Sequence, residues 1–298
     1  MRATGERFQV AGIDTAGIDA ELLVAHAAEL SRVQLRTRDD DELAPAALAM
    51  LEELTVRREA NEPVAYLIGH AGFRRIELEV DARVLVPRPE TELLVELAVR
   101  EIDERVAAAR IEQVEADGRR QSIPVRVLDL CTGSGAIALA IVDETAPGAA
   151  EVSATDLSEL ALEVARANGV RLDLDVTWHT GDLFDALPAA SSDAQFDVIV
   201  SNPPYIARSD AASLPADVIA HEPHMALFLP GNDPGELIRR MLAGTDVWLA
   251  PGGVLAVEIG ADQHDAVAAE FTAHGLERVA VLDDLAGIGR VVTGYRAC

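Results

Sequence analysis

After Asp19, the side chains of Leu22, Leu23, His26 and Leu30 recur at the spacing of one helix face, and Leu48, Leu51 and Leu54 do the same after Pro45. Asp19 and Pro45 suit helix starts. Residues 1–72 are therefore expected to form a small all-α domain. Phe73, Ile76, Leu78 and Val80 then alternate in part, and a second run, Arg83 to Val86, follows Asp81-Ala82, so a β-hairpin linker is expected over residues 73–89. Pro87 and Pro89 end it. Leu93, Leu94, Leu97 and Ile102 restore helical periodicity over Glu90 to Arg105 and open a second domain, residues 90–298.

From Val125 onward, short apolar runs alternate with helical stretches. The runs are Val125–Leu130, Glu151–Asp156, Leu174–Trp178, Phe196–Ser201 and Gly253–Ile259, a rhythm that predicts an α/β fold around a doubly wound, mainly parallel sheet. Arg278–Leu282 and Arg290–Tyr295 lie too close together for a helical crossover, so they are expected to form an antiparallel pair at the sheet edge. Residues 110–124 are polar and aperiodic and read as an exposed loop.

Composition narrows the function. The longest apolar runs fall far short of the ~20 residues that a bilayer span needs, and Arg2, Glu6 and Arg7 interrupt the N-terminus where a secretory signal would be apolar. The expected location is the cytoplasm. Cys131 and Cys298 are expected to be free thiols, because Cys131 sits in a glycine-rich turn. All 25 basic residues are Arg, which excludes Schiff-base chemistry and the lysine of a Walker A loop. Residues 1–89 carry 11 Arg against 16 acidic residues, and the remainder 14 against 35, so the net charge of −26 sits mostly in the second domain. That balance disfavours a polyanionic partner.

The first strand of that domain runs into Asp129-Leu-Cys131-Thr132-Gly133-Ser134-Gly135, where glycines let a ligand approach the backbone at the carboxyl edge of the sheet. Gly133, Gly135 and Ala138, with Asp156 placed as a ribose-binding acid, fit either a dinucleotide or S-adenosylmethionine. Asp129 favours a cationic ligand, since it would repel a pyrophosphate. Both acids also suit helix capping. Asp182, before Leu183, is placed to read an adenine amino group.

The most specific segment is Ser201-Asn202-Pro203-Pro204-Tyr205, directly after the apolar strand Phe196–Val200. Prolines fix the backbone and lack N–H groups, so the Pro203 carbonyl and the Asn202 amide oxygen can both accept from a substrate –NH₂, while Tyr205 can stack on a planar group. This arrangement predicts N-methylation of an amide or amine. The run His221-Glu222-Pro223-His224 lacks metal-ligand spacing and reads as a loop, so no metal is expected.

These pieces, in order, resemble the release factor glutamine methyltransferase family, also called PrmC or HemK. The resemblance rests on Pro63-Val-Ala-Tyr66-Leu-Ile-Gly69, Leu85-Val-Pro87-Arg-Pro89-Glu-Thr91-Glu, Asp129 to Gly135, Asp156, Gly181-Asp182, Asn202 to Tyr205, and Glu222-Pro223 ahead of Gly231, and it covers nearly the whole chain. It implies a helical N-terminal domain that docks peptide chain release factors. It implies also a Rossmann-like, S-adenosylmethionine-dependent domain that methylates N5 of the glutamine in their Gly-Gly-Gln tripeptide. The cofactor would be held by Asp129, Cys131, Thr132, Gly133, Ser134, Gly135, Asp156, Asp182, Leu183 and Asn202. The glutamine would be held by Asn202, Pro203, Pro204 and Tyr205, with Asn202, Pro203 and Tyr205 acting in catalysis. No direct nucleic-acid or membrane partner is implied. Cys131 departs from the family pattern, which has glycine there. Three alternatives are a nucleic-acid base (adenine or guanine amino) methyltransferase with the same pocket, an NAD-dependent oxidoreductase, and a module that only binds release factor.

Overall fold

The computed structural model describes residues 1–37, 42–116, 123–188, 194–231, 233 and 235–298, with the side chains of residues 110–116 left out. Five helices come first: α1 (Arg2–Val10), α2 (Ala16–Ala27), α3 (Arg32–Thr37), α4 (Pro45–Glu59) and α5 (Val64–Ile68). Phe8, Leu23, Leu51, Leu54 and Leu67 form their shared core. Pro45 does open a helix, at the position where its missing N–H costs nothing. Asp19 does not. It lies inside α2, 5% exposed, where its carboxylate accepts from Thr15 Oγ1 at 2.9 Å and Arg58 Nε at 2.8 Å.

The expected hairpin exists with a different turn. Strands β1 (His70–Phe73) and β2 (Ile76–Glu79) pair across Arg74-Arg75, with Phe73 opposite Ile76, instead of turning at Asp81-Ala82. Gly69, at φ 79, ends α5 and releases the chain into β1. Residues 83–86 form no strand. Val84 is buried, and its carbonyl accepts from the Tyr66 hydroxyl. Phe73, Ile76, Leu78, Val80 and Val84 share one apolar core with Leu94, Val127 and Val198, so the hairpin packs with the second half of the chain.

A short 3-10 turn (Pro89–Thr91) leads into α6 (Glu92–Ala116). The expected loop at 110–124 is thus helical as far as Ala116, and residues 117–122 lie outside the described residues. The α/β rhythm follows: β3 (Val125–Leu130), α7 (Ala136–Glu144), β4 (Ala150–Asp156), α8 (Glu159–Leu172), β5 (Thr177–Thr180), β6 (Phe196–Ser201), α9 (Ala216–His221), α10 (His224–Leu227), α11 (Glu236–Trp248), β7 (Leu249–Glu258), α12 (His264–Ala273), β8 (Glu277–Asp283) and β9 (Gly289–Tyr295). Strand β5 starts later than the Leu174–Trp178 run. Leu174 instead packs, partly buried, against the core after its amide bonds the Gly169 carbonyl at the end of α8.

The seven strands are ordered β5-β4-β3-β6-β7-β9-β8. Strands β3 to β7 are parallel, while β9 runs antiparallel between β7 and β8, as the two closely spaced C-terminal runs predict. Alternate residues feed opposite faces. Val127, Val198, Val254 and Ala256 face α6, α7, α8 and the hairpin, whereas Leu128, Ile199, Leu255 and Val257 face α11 and α12. The chain leaves β3 toward β4 and β5, then returns to place β6 on the other side of β3. That reversal opens a crevice at the carboxyl ends of β3, β4 and β6. Among the described residues no helix is long and apolar enough to cross a membrane.

Candidate active site

A cavity of about 610 Å³ occupies that crevice, within the size range of small-molecule and cofactor sites. Its wall includes Cys131, Thr132, Gly133 and Ser134 from the loop after β3, Asp156 from β4, Asp182 and Leu183 after β5, and Asn202 and Pro204 after β6. Arg88 and Thr91 close it from the segment before α6. Four residues singled out in the sequence, Asp129, Gly135, Pro203 and Tyr205, do not line the cavity.

Asp129 is completely buried. Its Oδ2 accepts from Thr132 Oγ1 at 2.6 Å and from the Ala138 amide at 3.2 Å, so it ties the loop to the first turn of α7. Its Oδ1 has no partner among the described residues, and burial pushes the carboxyl up to about 7. Gly135 serves packing. A Cβ there would come within 2.9 Å of Trp178 and 3.2 Å of Ala165, and its φ is 82. Gly133 is different: no atom lies within 4 Å of where its Cβ would be, so its backbone faces open space. Cys131 takes φ 61, a left-handed conformation that costs a non-glycine residue about 1 kcal/mol or more. Burial and the nearby Asp156 charge push its thiol up.

Asp156 both braces the loop and faces the cavity. Its Oδ2 accepts from the Gly133 amide and its Oδ1 from the Ser158 amide, each at 2.8 Å, while burial raises the carboxyl. The N-cap of α8 is Ser158, whose hydroxyl accepts from the Ala161 amide, so capping does not fall to Asp156. Asp182 is paired with Arg240 at 2.8 Å.

Asn202 leaves β6 with its Nδ2 donating to Thr91 Oγ1 at 2.9 Å. No described donor pairs with the Pro203 carbonyl. Tyr205 is half-buried, its own carbonyl accepts from Gln263 Nε2 at 3.1 Å, and burial with the Glu258 charge pushes its hydroxyl up to about 12. His221 and His224 fall at the end of α9 and the start of α10 rather than in a loop. Each ring contacts a backbone carbonyl, Ala60 and Ile219 respectively.

Periodicity pointed to none of three further groups. Glu222, 4% exposed, bonds Arg88 Nη2 at 2.5 Å and the Val86 amide at 3.3 Å, pinning the wall of the cavity formed by residues 85–88. Thr91 contacts Asn202, and Glu258 ends β7 beside them, with burial pushing its carboxyl up to about 7. An acid closing an apolar strand at the same sheet edge as Asp129 and Asn202 was the signal for Glu258.

The residues present fit an adenosyl sulfonium ligand. Gly133 leaves room for it, the Asp129 Oδ1 and Thr155 Oγ1 atoms are buried without partners among the described residues, and two acids, Asp129 and Asp156, offset a positive charge.

A PrmC N-terminal domain model matches residues 1–69, and a methyltransferase small domain model matches residues 113–232. A release factor glutamine methyltransferase of Bordetella pertussis is 41% identical over 93% of this chain and 94% of its own. One of Caulobacter vibrioides is 38% identical over 99% and 94%. Among solved structures, the hMettl16 catalytic domain in complex with MAT2A 3′UTR hairpin 6 superposes with a TM-score of 0.54 at 14% identity, covering 86% of this chain and 84% of that one, a likeness of fold alone.

Proposed function

The chain belongs to the release factor glutamine methyltransferase family, and on that premise we propose that it methylates the N5 amide nitrogen of the glutamine in the Gly-Gly-Gln tripeptide of peptide chain release factors. The observation that carries this reading is Asn202 on the wall of the glycine-loop cavity, beside a Pro203 carbonyl with no described donor. S-adenosylmethionine, when bound, supplies a methyl group made electrophilic by the sulfonium. The chain's own residues do the positioning. Thr132, Gly133, Ser134 and Asp156 would hold the cofactor, Asp182 and Leu183 would border its adenine, and Asp129 would act through its charge from beneath the loop.

An amide nitrogen is a weak nucleophile because its lone pair is delocalised. Asn202 Oδ1 and the Pro203 carbonyl would accept its two N–H groups, which raises electron density on nitrogen and fixes the direction of attack. Pro204 bounds the slot, and Tyr205 would stack on the planar amide of the substrate. Polarisation needs no dedicated base, and the proton that the nitrogen sheds on gaining the methyl group would leave to water. Residues 1–72, with the 73–89 segment as connection, would dock the release factor, since a single glutamine offers too little surface for recognition. The cytoplasm, where release factors work, is the location this implies.

Asn202→Ala tests the reading. Loss of one preorganised contact at the reacting centre lowers kcat by about 10²- to 10³-fold with the cofactor Kd nearly unchanged. Wild-type kcat in that variant would sink the pocket assignment.

A further inference from the structure

The chain leaves β6 at Ser201 and runs through Asn202-Pro203-Pro204-Tyr205 before Ile206 bonds Leu227 and Leu229. Ser201 is fixed upstream: it is fully buried, and its hydroxyl donates to the Leu130 carbonyl at 2.9 Å. Pro203 and Pro204 have no N–H to offer. Among the described residues, the backbone of Pro203, Pro204 and Tyr205 takes part in a single hydrogen bond, from Gln263 Nε2 to the Tyr205 carbonyl at 3.1 Å.

Gln263 lies between β7 and α12, and its side chain has two backbone partners. While Nε2 donates to Tyr205, Oε1 accepts from the Gly260 amide at 3.0 Å. A backbone N–H only donates and a carbonyl only accepts, so these partners permit one orientation of the carboxamide. The Gln263 amide also donates to the Gly260 carbonyl at 3.0 Å, which closes the 260–263 turn and aims the side chain at Tyr205. Gln263 is the N-cap of α12, a place where Ser, Thr, Asn or Asp would hold the first helical amides, yet its side chain makes no capping bond. The side chain serves Tyr205 instead of its own helix.

Proline fixes φ and leaves ψ free, so the direction of the Pro203 carbonyl depends on how the chain is held on either side. Ser201 holds it from one side and Gln263 from the other. We propose that Gln263 is a positioning residue that clamps the Tyr205 peptide and so sets the direction in which the Pro203 carbonyl and the Tyr205 ring meet the substrate amide. Gln263 does not line the cavity and acts only through that segment. This inference rests on the reading of Asn202 to Tyr205 as the slot for the substrate amide.

The test is steady-state methylation of a Gly-Gly-Gln peptide by the full chain carrying Gln263→Ala, Gln263→Glu or Asn202→Ala, from about pH 7.5 down to about pH 5.5, a span that approaches the ordinary carboxyl range. Calorimetry gives the S-adenosylmethionine Kd of each. Gln263→Ala should lower kcat by about 10- to 100-fold, the scale of a displaced contact, with cofactor Kd within about twofold, because the Ile206 bonds still anchor the chain beyond Tyr205. In Gln263→Glu at the higher pH, a carboxylate faces the Tyr205 carbonyl and two acceptors oppose each other. Protonation turns one oxygen into a donor to Tyr205 while the other still accepts from Gly260, so the kcat of Gln263→Glu relative to wild type should climb several-fold on acidification, and that of Gln263→Ala should stay flat. Wild-type kcat in both Gln263 variants beside a crippled Asn202→Ala overturns the positioning role and leaves the pocket reading standing. An Asn202→Ala enzyme with wild-type kcat removes the reading beneath it. Losses that track cofactor Kd also overturn the proposal. Should Gln263→Ala fail to fold, Gln263→Glu decides alone: a relative kcat that does not rise on acidification overturns it.

Discussion

Replacing Asp156 by alanine removes a carboxylate that does two things at once. Its oxygens accept from the Gly133 and Ser158 amides at 2.8 Å, and its side chain faces the cavity where a ribose would sit. In the variant, both amides lose their partner, but the cavity is open enough for water to replace it, so the folding penalty is modest. The binding penalty is larger. A charge-assisted hydrogen bond contributes about 1.5–3 kcal/mol, which corresponds to a roughly 10- to 150-fold rise in Kd for S-adenosylmethionine. Asp156→Asn should fall between, because one amide oxygen can serve only part of what two carboxylate oxygens serve. Isothermal titration of the three proteins measures this directly. An unchanged Kd in Asp156→Ala would show that the carboxylate only braces the loop and that the ribose lies elsewhere.

Arg58→Ala leaves the Asp19 carboxylate buried without its cation and removes a second pairing with Asp217 of α9, and urea denaturation should show a loss of about 3–5 kcal/mol. Asp129 has a carboxyl raised to about 7 by burial, so its contribution to the stability of the ligand-free protein is present at acid pH and lost as pH rises from about 4 through 7. Asp129→Asn should flatten that pH dependence; an identical slope in the variant would refute it. The chain cut to residues 70–298 keeps the hairpin that completes the catalytic core, so it should retain cofactor binding while KM for release factor rises well above the change seen with a Gly-Gly-Gln peptide. Equal effects on both substrates would show that the helical domain is not the recognition element.

Residues at the ends of parallel strands were legible because strand ends, glycine loops and prolines leave local marks. Asp156, Gly133 and Asn202 all lie on the cavity wall for that reason. What was not legible depended on partners distant in the chain. Helix α1 buries only Thr4 and Phe8, too few positions to show a period. The hairpin turn was misplaced because Arg74 takes φ 53 without a glycine to announce it, and because Phe73 and Ile76 are both apolar across a two-residue turn. Asp19 looked like a helix start since its pairing with Arg58 is a tertiary fact. Gly135 stands out locally as a glycine, but the Trp178 ring that excludes a Cβ there is a tertiary neighbour. Thr91 and Glu222 lie in segments that carry the family resemblance, but their pairings with Asn202 and Arg88 are tertiary facts.

The central claim is the chemistry at a single nitrogen. Purified release factor incubated with the full chain and S-adenosylmethionine, then digested and sequenced by mass spectrometry, should gain one methyl group on the glutamine side chain of Gly-Gly-Gln and on no other peptide. Release factor left unmodified while an adenine or guanine amino group of added nucleic acid gains the methyl would contradict the account.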